Sequence, residues 1–245
     1  MRRLLSDRRF RQRENAFVIE GTRWLAEMVS FKERLQLVLV TEQWLQGNRH
    51  LLETLNVDES SGLQVVTEQV IAHASDTETP SGVLGVVEIV PLPLPEPPQW
   101  LLILDRVADP GNMGTILRTS AAAGVDGVLA GPGCVDVYNP KVVRSSMGAH
   151  LRLPVLSLSW QEIEDKVAGM AVWVAAADGR TSYSEVDWKR PSALIIGSEA
   201  RGAGQKAYTL AHESVNIPMA GETESLNAAV AAGVILFEGQ RQRRS

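Results

Sequence analysis

The sequence predicts an α/β protein built on a largely parallel sheet. Three observations carry that prediction. Beyond residue 98, short apolar runs alternate with helical patterns, the alternation that builds a parallel sheet with both faces covered. Five prolines between Pro91 and Pro98 fix φ and remove backbone donors, so neither a helix nor a central strand continues through them. Apolar residues make up 44% and charged residues 22% of the 245 positions, an ordinary balance for a folded globular chain. The segment 91–98 therefore reads as an extended linker between a domain over 1–90 and a domain over 99–245, both of viable size.

In the first domain, Phe17–Gly21 reads as a strand and turn. Thr22–Val29 reads as a helix, with Leu25, Met28 and Val29 at helical spacing. Leu35–Val40 is a strand, Glu42–Leu55 a helix, Leu63–Val66 a strand and Val83–Val90 a closing strand. No nucleophile–base pair stands out, so this half reads as a binding module. In the second domain Leu101–Leu104 is a buried strand. Met113–Ala123 follows as a helix, with Asn112 as its N-cap and Gly124 as its stop. Val125–Ala130 is the next strand and Asn139–Met147 a helix. Ala171–Ala176, Ala193–Ile196 and Ser214–Ile217 are strands, and Ser225–Glu238 is a long final helix.

The formal net charge is −5, but it is unevenly spread. Residues 1–13 hold Arg2, Arg3, Arg8, Arg9, Arg11 and Arg13 against Asp7 alone. Residues 238–245 hold Arg241, Arg243 and Arg244 against Glu238, which leaves 15 basic and 27 acidic residues between the two ends. Phosphate binding depends on local clustering rather than on the whole-chain sum. The ends are thus either phosphate-binding segments or solvated, frayed termini. An Arg-rich targeting peptide is disfavoured because the folded pattern begins almost at once, at Phe17. No apolar run approaches the roughly 20 residues that span a bilayer, so no membrane partner is expected. The single Cys134 excludes an intrachain disulfide and a multi-cysteine metal site, and points to a reducing, cytosolic setting. Cys134 and the tryptophans Trp100, Trp160, Trp173 and Trp188 read as packing residues.

Ligands of open parallel sheets bind beyond the carboxyl ends of the strands. Three such ends share a glycine-bearing, polar composition: Asp105 to Arg118, Gly197 to Gly204, and Pro218 to Asn227. Glycine there lets backbone groups approach a ligand closely. None matches the dinucleotide fingerprint or the phosphate loop, which argues against a nucleotide-dependent oxidoreductase. Taken singly, each residue has a plain alternative. Arg118 fits a surface ion pair, Glu199 a solvated loop acid, and Ser225 or Asn227 the cap of the last helix.

Read jointly, Asn112-x-Gly114-x-x-x-Arg118, Ile196-Gly197-x-Glu199-x-x-Gly202, and Ile217-Pro218-Met219 with Ser225-Leu226-Asn227 resemble the three signature motifs of the SpoU (TrmH-type) RNA 2′-O-ribose methyltransferases, of the SPOUT class. The likeness runs over roughly Leu101 to Glu238. The first domain is similar to the small ribosomal-protein-like α/β substrate-binding domain of many members, through Arg9-x-Arg11-x-Arg13, Phe17–Gly21 and Thr79-Pro80-Ser81-Gly82-Val83. The resemblance implies a parallel sheet with a C-terminal trefoil knot, S-adenosylmethionine as cofactor, and a homodimer whose site is completed across the interface. It also implies ribosomal or transfer RNA as substrate, and the substrate-binding domain with the basic N-terminus favours structured RNA, ribosomal over transfer RNA.

The same resemblance assigns roles. Gly197, Ile217 and Leu226 match main-chain cofactor contacts, with Ile217, Met219 and Leu226 also giving apolar contact. Arg118 matches the arginine placed near the 2′-hydroxyl and an RNA phosphate. Its guanidinium pKa lies above about 12, so positioning and charge stabilisation suit it better than proton abstraction. Asn112, Glu199, Ser225 and Asn227 would form the surrounding hydrogen-bond network, with Glu199 either anchoring Arg118 or orienting the hydroxyl. One departure stands out: Ser198 occupies a position where the family often has Asn. Lys141, Arg144 and Ser145 are open to RNA contact or to a plain basic helix face. The alternative function is a catalytically inactive RNA-binding or assembly protein on the same fold.

Overall fold

The computed structural model describes residues 1–199, 201–221 and 225–244. It divides into two compact units, Met1–Val90 with Tyr138–Gly148, and Pro91–Val137 with Ala149–Ser245. No helix among the described residues is long and apolar enough to cross a membrane.

The first unit opens with α1 (Arg2–Ser6) and α2 (Arg8–Glu14). The arginine-rich start is therefore folded rather than frayed, because an apolar pattern runs beneath the charge. Leu4 is buried, Leu5 and Phe10 pack on the unit's core, and Asp7 caps α2 by accepting the Phe10 N–H at 3.1 Å. Arg11 is only 4% exposed and donates to the carbonyls of Leu4 (2.5 Å) and Leu5 (3.1 Å). Next come β1 (Ala16–Glu20), α3 (Thr22–Glu27), a 3-10 segment (Met28–Arg34), β2 (Leu35–Thr41), α4 (Glu42–Leu55), β3 (Leu63–Val66), α5 (Glu68–Ala74) and β4 (Val83–Glu88). The sheet order is β1-β4-β2-β3. β4 runs antiparallel to both β1 and β2, and β2 runs parallel to β3. Leu39, Ile71, Leu84 and Val18 meet in the core.

The second unit begins with β5 (Trp100–Leu104), α6 (Pro110–Ala123) and β6 (Gly127–Ala130). The helix α7 (Pro140–Ser146) belongs to the first unit. There Val142 and Val143 are buried and the Trp24 indole donates to the Val143 carbonyl at 3.0 Å. Arg144 is paired with Asp76, and Ser145 donates back to Lys141 O at 2.7 Å. These bonds engage Arg144 and Ser145, the two α7 residues considered for RNA alongside Lys141. The chain continues through β7 (Val155–Ser157), α8 (Trp160–Lys166), β8 (Ala171–Ala175), β9 (Thr181–Ser182), β10 (Ser192–Ile196), α9 (Gln205–Leu210), β11 (Glu213–Asn216) and α10 (Ala228–Arg244).

All seven strands of this sheet run parallel, in the order β7-β6-β5-β10-β8-β11-β9. β5 and β10 lie in its interior and are buried along their whole length, as continuous apolar runs require. Leu94, in the proline-rich segment, packs on the same core as Leu101, Ile103 and Ile195.

Several boundaries move from their expected places. The N-cap of α6 is Asp109, not Asn112: its carboxylate accepts the Asn112 N–H at 2.8 Å, with Pro110 at the first helical position. Asn112 is thereby inside the helix with its own carboxamide free for other partners. β6 starts at Gly127 rather than Val125, because the Asp126 carboxylate instead accepts the N–H groups of Gln99 (2.6 Å) and Trp100 (2.9 Å). α10 starts at Ala228 and runs past Glu238 to Arg244. Asn227 caps it, accepting from Ala229 N at 2.9 Å and Val230 N at 3.3 Å, while Ser225 lies outside the helix.

Candidate active site

The carboxyl edge of the second sheet brings the three polar loops together. After β10 the chain turns back on itself: Ser198 N donates to Gly202 O at 3.1 Å and Gly202 N to Ser198 O at 2.9 Å. A Cβ on Gly197 would lie 2.2 Å from Ala203 N, so glycine is demanded there by the returning backbone. The family resemblance matches this glycine to a cofactor contact; in the structure its missing side chain lets the hairpin close. Ser198 uses its hydroxyl inside the turn, donating to Gly202 O and accepting from Arg201 N, each at 3.3 Å.

Glu199 rides on this hairpin. Its Oε1 accepts from Asn112 Nδ2 at 2.6 Å. Asn227 Nδ2 donates to Asn112 Oδ1 at 3.0 Å, and Asn227 in turn caps α10. One carboxamide thus joins the loops after β5, β10 and β11. A donor and an acceptor on one short planar group are what this requires, and Asn supplies both. Glu199 accepts from Asn112, not from Arg118.

The hairpin has a second anchor, which sequence reasoning missed. Asp105 is 2% exposed and its Oδ2 accepts the Gly204 N–H at 2.6 Å. Arg106 Nε lies 3.3 Å from Asp105 Oδ1, and Arg106 Nη2 reaches Gly202 O at 3.5 Å. Arg106 adopts φ +58°, a conformation that residues other than glycine adopt at a cost. The available signal was an acid at the end of a fully buried strand, since a buried carboxylate needs donors.

Beside this network lies a small apolar cavity of about 100 Å³, lined by Ala175–Ala177, Val215, Ile217, Met219, Ser225, Leu226, Ala231 and Ile235. Four of the predicted residues line it: Ile217, Met219, Ser225 and Leu226. Gly197 does not. The alanines at the carboxyl end of β8 were missed because sequence order hid that β8 lies between β10 and β11. The main-chain groups of Met219 and Leu226 have no hydrogen-bond partner among the described residues, an open valence that a ligand can satisfy.

Arg118 stands apart. Six residues beyond Asn112, it lies about 120° around the helix. Its side chain is exposed, and among the described residues nothing pairs with it. Elsewhere in this unit, burial pushes the Cys134 thiol up to about 11, and its Sγ donates to Leu104 O at 3.3 Å, so it packs rather than reacts. Trp100 and Trp188 are buried.

A parallel α/β sheet with polar loops tied at its carboxyl edge is the architecture seen, and the chain belongs to the SpoU/TrmH RNA methyltransferase family of the SPOUT class: residues 99–237 match the SpoU rRNA Methylase family model. Residues 2–85 match the MRM3-like substrate binding domain. The chain is 32% identical to the 23S rRNA (guanosine(2553)-2′-O)-methyltransferase RlmP of Bacillus subtilis, covering 95% of this chain and 92% of that protein. It is 34% identical to an uncharacterized tRNA/rRNA methyltransferase of Synechocystis, over 98% of this chain and 89% of the relative. Among solved structures, the SpoU methyltransferase AviRb of Streptomyces viridochromogenes in complex with AdoMet superposes with a TM-score of 0.88, at 31% identity, covering 100% of this chain and 96% of that one.

Proposed function

We propose that this protein transfers a methyl group from S-adenosylmethionine to a ribose 2′-hydroxyl of structured RNA, with ribosomal RNA as the substrate. The observation that carries the reading is the Glu199–Asn112–Asn227 chain of hydrogen bonds, which ties three strand-end loops beside an apolar cavity. RlmP, a ribosomal RNA 2′-O-methyltransferase, and AviRb, which was crystallised with AdoMet, support it.

The donor supplies an electrophilic methyl group on a sulfonium. The residues present suit such a ligand. Small alanine side chains with Ile217, Met219 and Leu226 offer apolar contact, and the main-chain groups of Met219 and Leu226, without partners among the described residues, offer polar contact. The cavity is smaller than the roughly 300–1,000 Å³ of ordinary ligand clefts, so the ligand extends from it along the loops. Gly197 contributes by shaping the hairpin, and the trefoil knot is part of the same reading. Arg118, permanently cationic, holds an RNA phosphate and stabilises the developing alkoxide. Glu199, held at Oε1 by Asn112, keeps Oε2 for the substrate hydroxyl, with Ser225 at the cavity rim.

The exposed position of Arg118 fits a site completed across a homodimer. Val230 and Phe237 on α10 are 50% and 47% exposed and seven residues apart, hence on one face. α10 packs beside α6, with Gln240 Nε2 donating to Ala122 O at 2.9 Å. That two-helix surface is the proposed interface, measurable by sedimentation. The lone Cys134 supports a cytosolic setting.

Labelled S-adenosylmethionine incubated with ribosomal RNA tests the function. The expected product is label in alkali-resistant dinucleotides, the mark of a methylated 2′-oxygen. RNA binding without any methyl transfer would turn the assignment to an assembly protein on the same fold.

A further inference from the structure

Unit 1 carries its excess of positive over negative charge in one segment. Helices α1 and α2 hold six arginines against Asp7 and Glu14. The rest of the unit, 16–90 with 138–148, holds six basic residues against eleven acidic ones. That remainder therefore carries a net charge of −5, six basic minus eleven acidic residues with His neutral, which as a whole disfavours a polyanion.

The arginines of α1–α2 are not equivalent. Arg11 is buried and engaged by the carbonyls of Leu4 and Leu5. Arg13 pairs with Glu14 at 2.6 Å. Arg3 lies 3.9 Å from Asp7, and the guanidinium groups of Arg3 and Arg13 both sit over the Phe10 ring, 4.2 and 4.8 Å from its centre. Arg2 reaches Ser75 O at 3.5 Å. Arg8 and Arg9 are exposed and have no side-chain partner among the described residues. Arg9 and Arg13 are four apart, a like-charge pair that destabilises an isolated helix slightly.

The arginines at the other end of the chain are used differently. Arg241 is bound to Glu238 at 2.7 Å, and Arg243 donates to the carbonyls of Gln99 and Arg190, each at 2.9 Å, over the Trp100 ring. Those two groups hold the fold. On α1–α2 the apolar residues hold the fold and the surface cations are left available.

We propose that the α1–α2 face is the principal phosphate-contacting surface of unit 1, with Arg8 and Arg9 contacting the backbone of folded RNA and the Phe10-stacked Arg3 and Arg13 flanking them. This deepens the RNA reading above and rests on it. Preordering on the ring leaves less side-chain entropy to lose when a phosphate is bound. Contacts of this kind position an RNA without reading its sequence.

The test is the salt dependence of binding to a ribosomal RNA transcript. Removing one cation from an RNA phosphate lowers the slope of log K against log salt by roughly 0.7–0.9. The double variant Arg8→Ser/Arg9→Ser is expected to lower the slope by about 1.4–1.8, with its thermal unfolding unchanged. A companion, Arg23→Ser/Arg49→Ser, removes two exposed cations from the body of the unit and is expected to leave the slope unchanged. An unaltered slope in the first variant, or an equal reduction in the second, overturns the proposal. Methyl transfer by the unaltered protein is measured on the same transcript. If that is absent the functional reading fails, whereas transfer with an unaltered slope in the first variant removes only this surface.

Discussion

The two ends of the seven-stranded sheet make an instructive pair. At the amino end lies a groove of about 720 Å³ lined by Gly169–Val172, Arg190, Pro191, Leu210, His212 and neighbouring residues. At the carboxyl end the cavity is only about 100 Å³. Two polar groups of the larger opening are engaged in local structure: His212 Nδ1 accepts the Val172 N–H at 3.0 Å, and Arg190 pairs with Asp187 at 3.0 Å. The smaller one adjoins a network that joins three separate loops. In a parallel sheet the carboxyl ends collect such loops and the amino ends do not. Convergent chemistry, rather than volume, marks the site.

Breaking the carboxyl edge should have the largest effect. Arg118→Ala is expected to lower the methyl-transfer rate by about 100- to 1,000-fold without altering the melting temperature, since the side chain is exposed. Equal rates in the two proteins would remove Arg118 from the chemistry.

Acid separates loss of fold from loss of site. Burial holds His150 down to about 4 from 6.5, and its ring nitrogen Nε2 lies 2.6 Å from Val137 O. Because the unfolded chain takes up the proton first, stability is unaffected above about pH 6.5 and falls as the pH drops toward 4. The loss approaches roughly 3 kcal/mol at pH 4. Melting curves between pH 7 and 4 should show it, and His150→Gln should flatten that dependence.

Asn112→Ala is smaller in effect but closer to the network. It deletes the bonds to Glu199 and Asn227 together, and a rate loss of about 10- to 30-fold is expected from the misplaced carboxylate. Combined with Glu199→Ala it should lose less than the product of the two single effects, because part of each passes through the bond the two residues share. Full additivity would show the two to be independent. At the amino edge, His212→Asn keeps an acceptor for Val172 N–H and should change the rate by less than about twofold. A tenfold loss there would reverse the assignment of the two ends.

The contrast also explains what the sequence disclosed. Loops after β5, β10 and β11 were legible because glycines and polar residues follow abruptly on apolar runs, and Asn112, Glu199 and Asn227 do meet there. The strand order was not legible, so Ala175–Ala177 went unseen as part of the cavity. Asp105 and Arg106 look like ordinary loop charges until the Gly197 turn folds back on them. The helices α1 and α2 were hidden by their own arginines, since Leu4, Leu5, Phe10 and the buried Arg11 form a face too short for a periodicity reading. Arg118 was legible only as a motif position: six residues beyond Asn112 it lies about 120° around α6, exposed, and its placement relative to the network could not be read from the spacing.

Amide hydrogen exchange with and without S-adenosylmethionine tests the convergence of the loops most directly. Slowed exchange is predicted together at 175–177, 215–219 and 225–231, with 169–172 and 210–212 unchanged. Protection confined to the amino-end groove, or to a single one of the three loop segments, would contradict a shared cofactor seat.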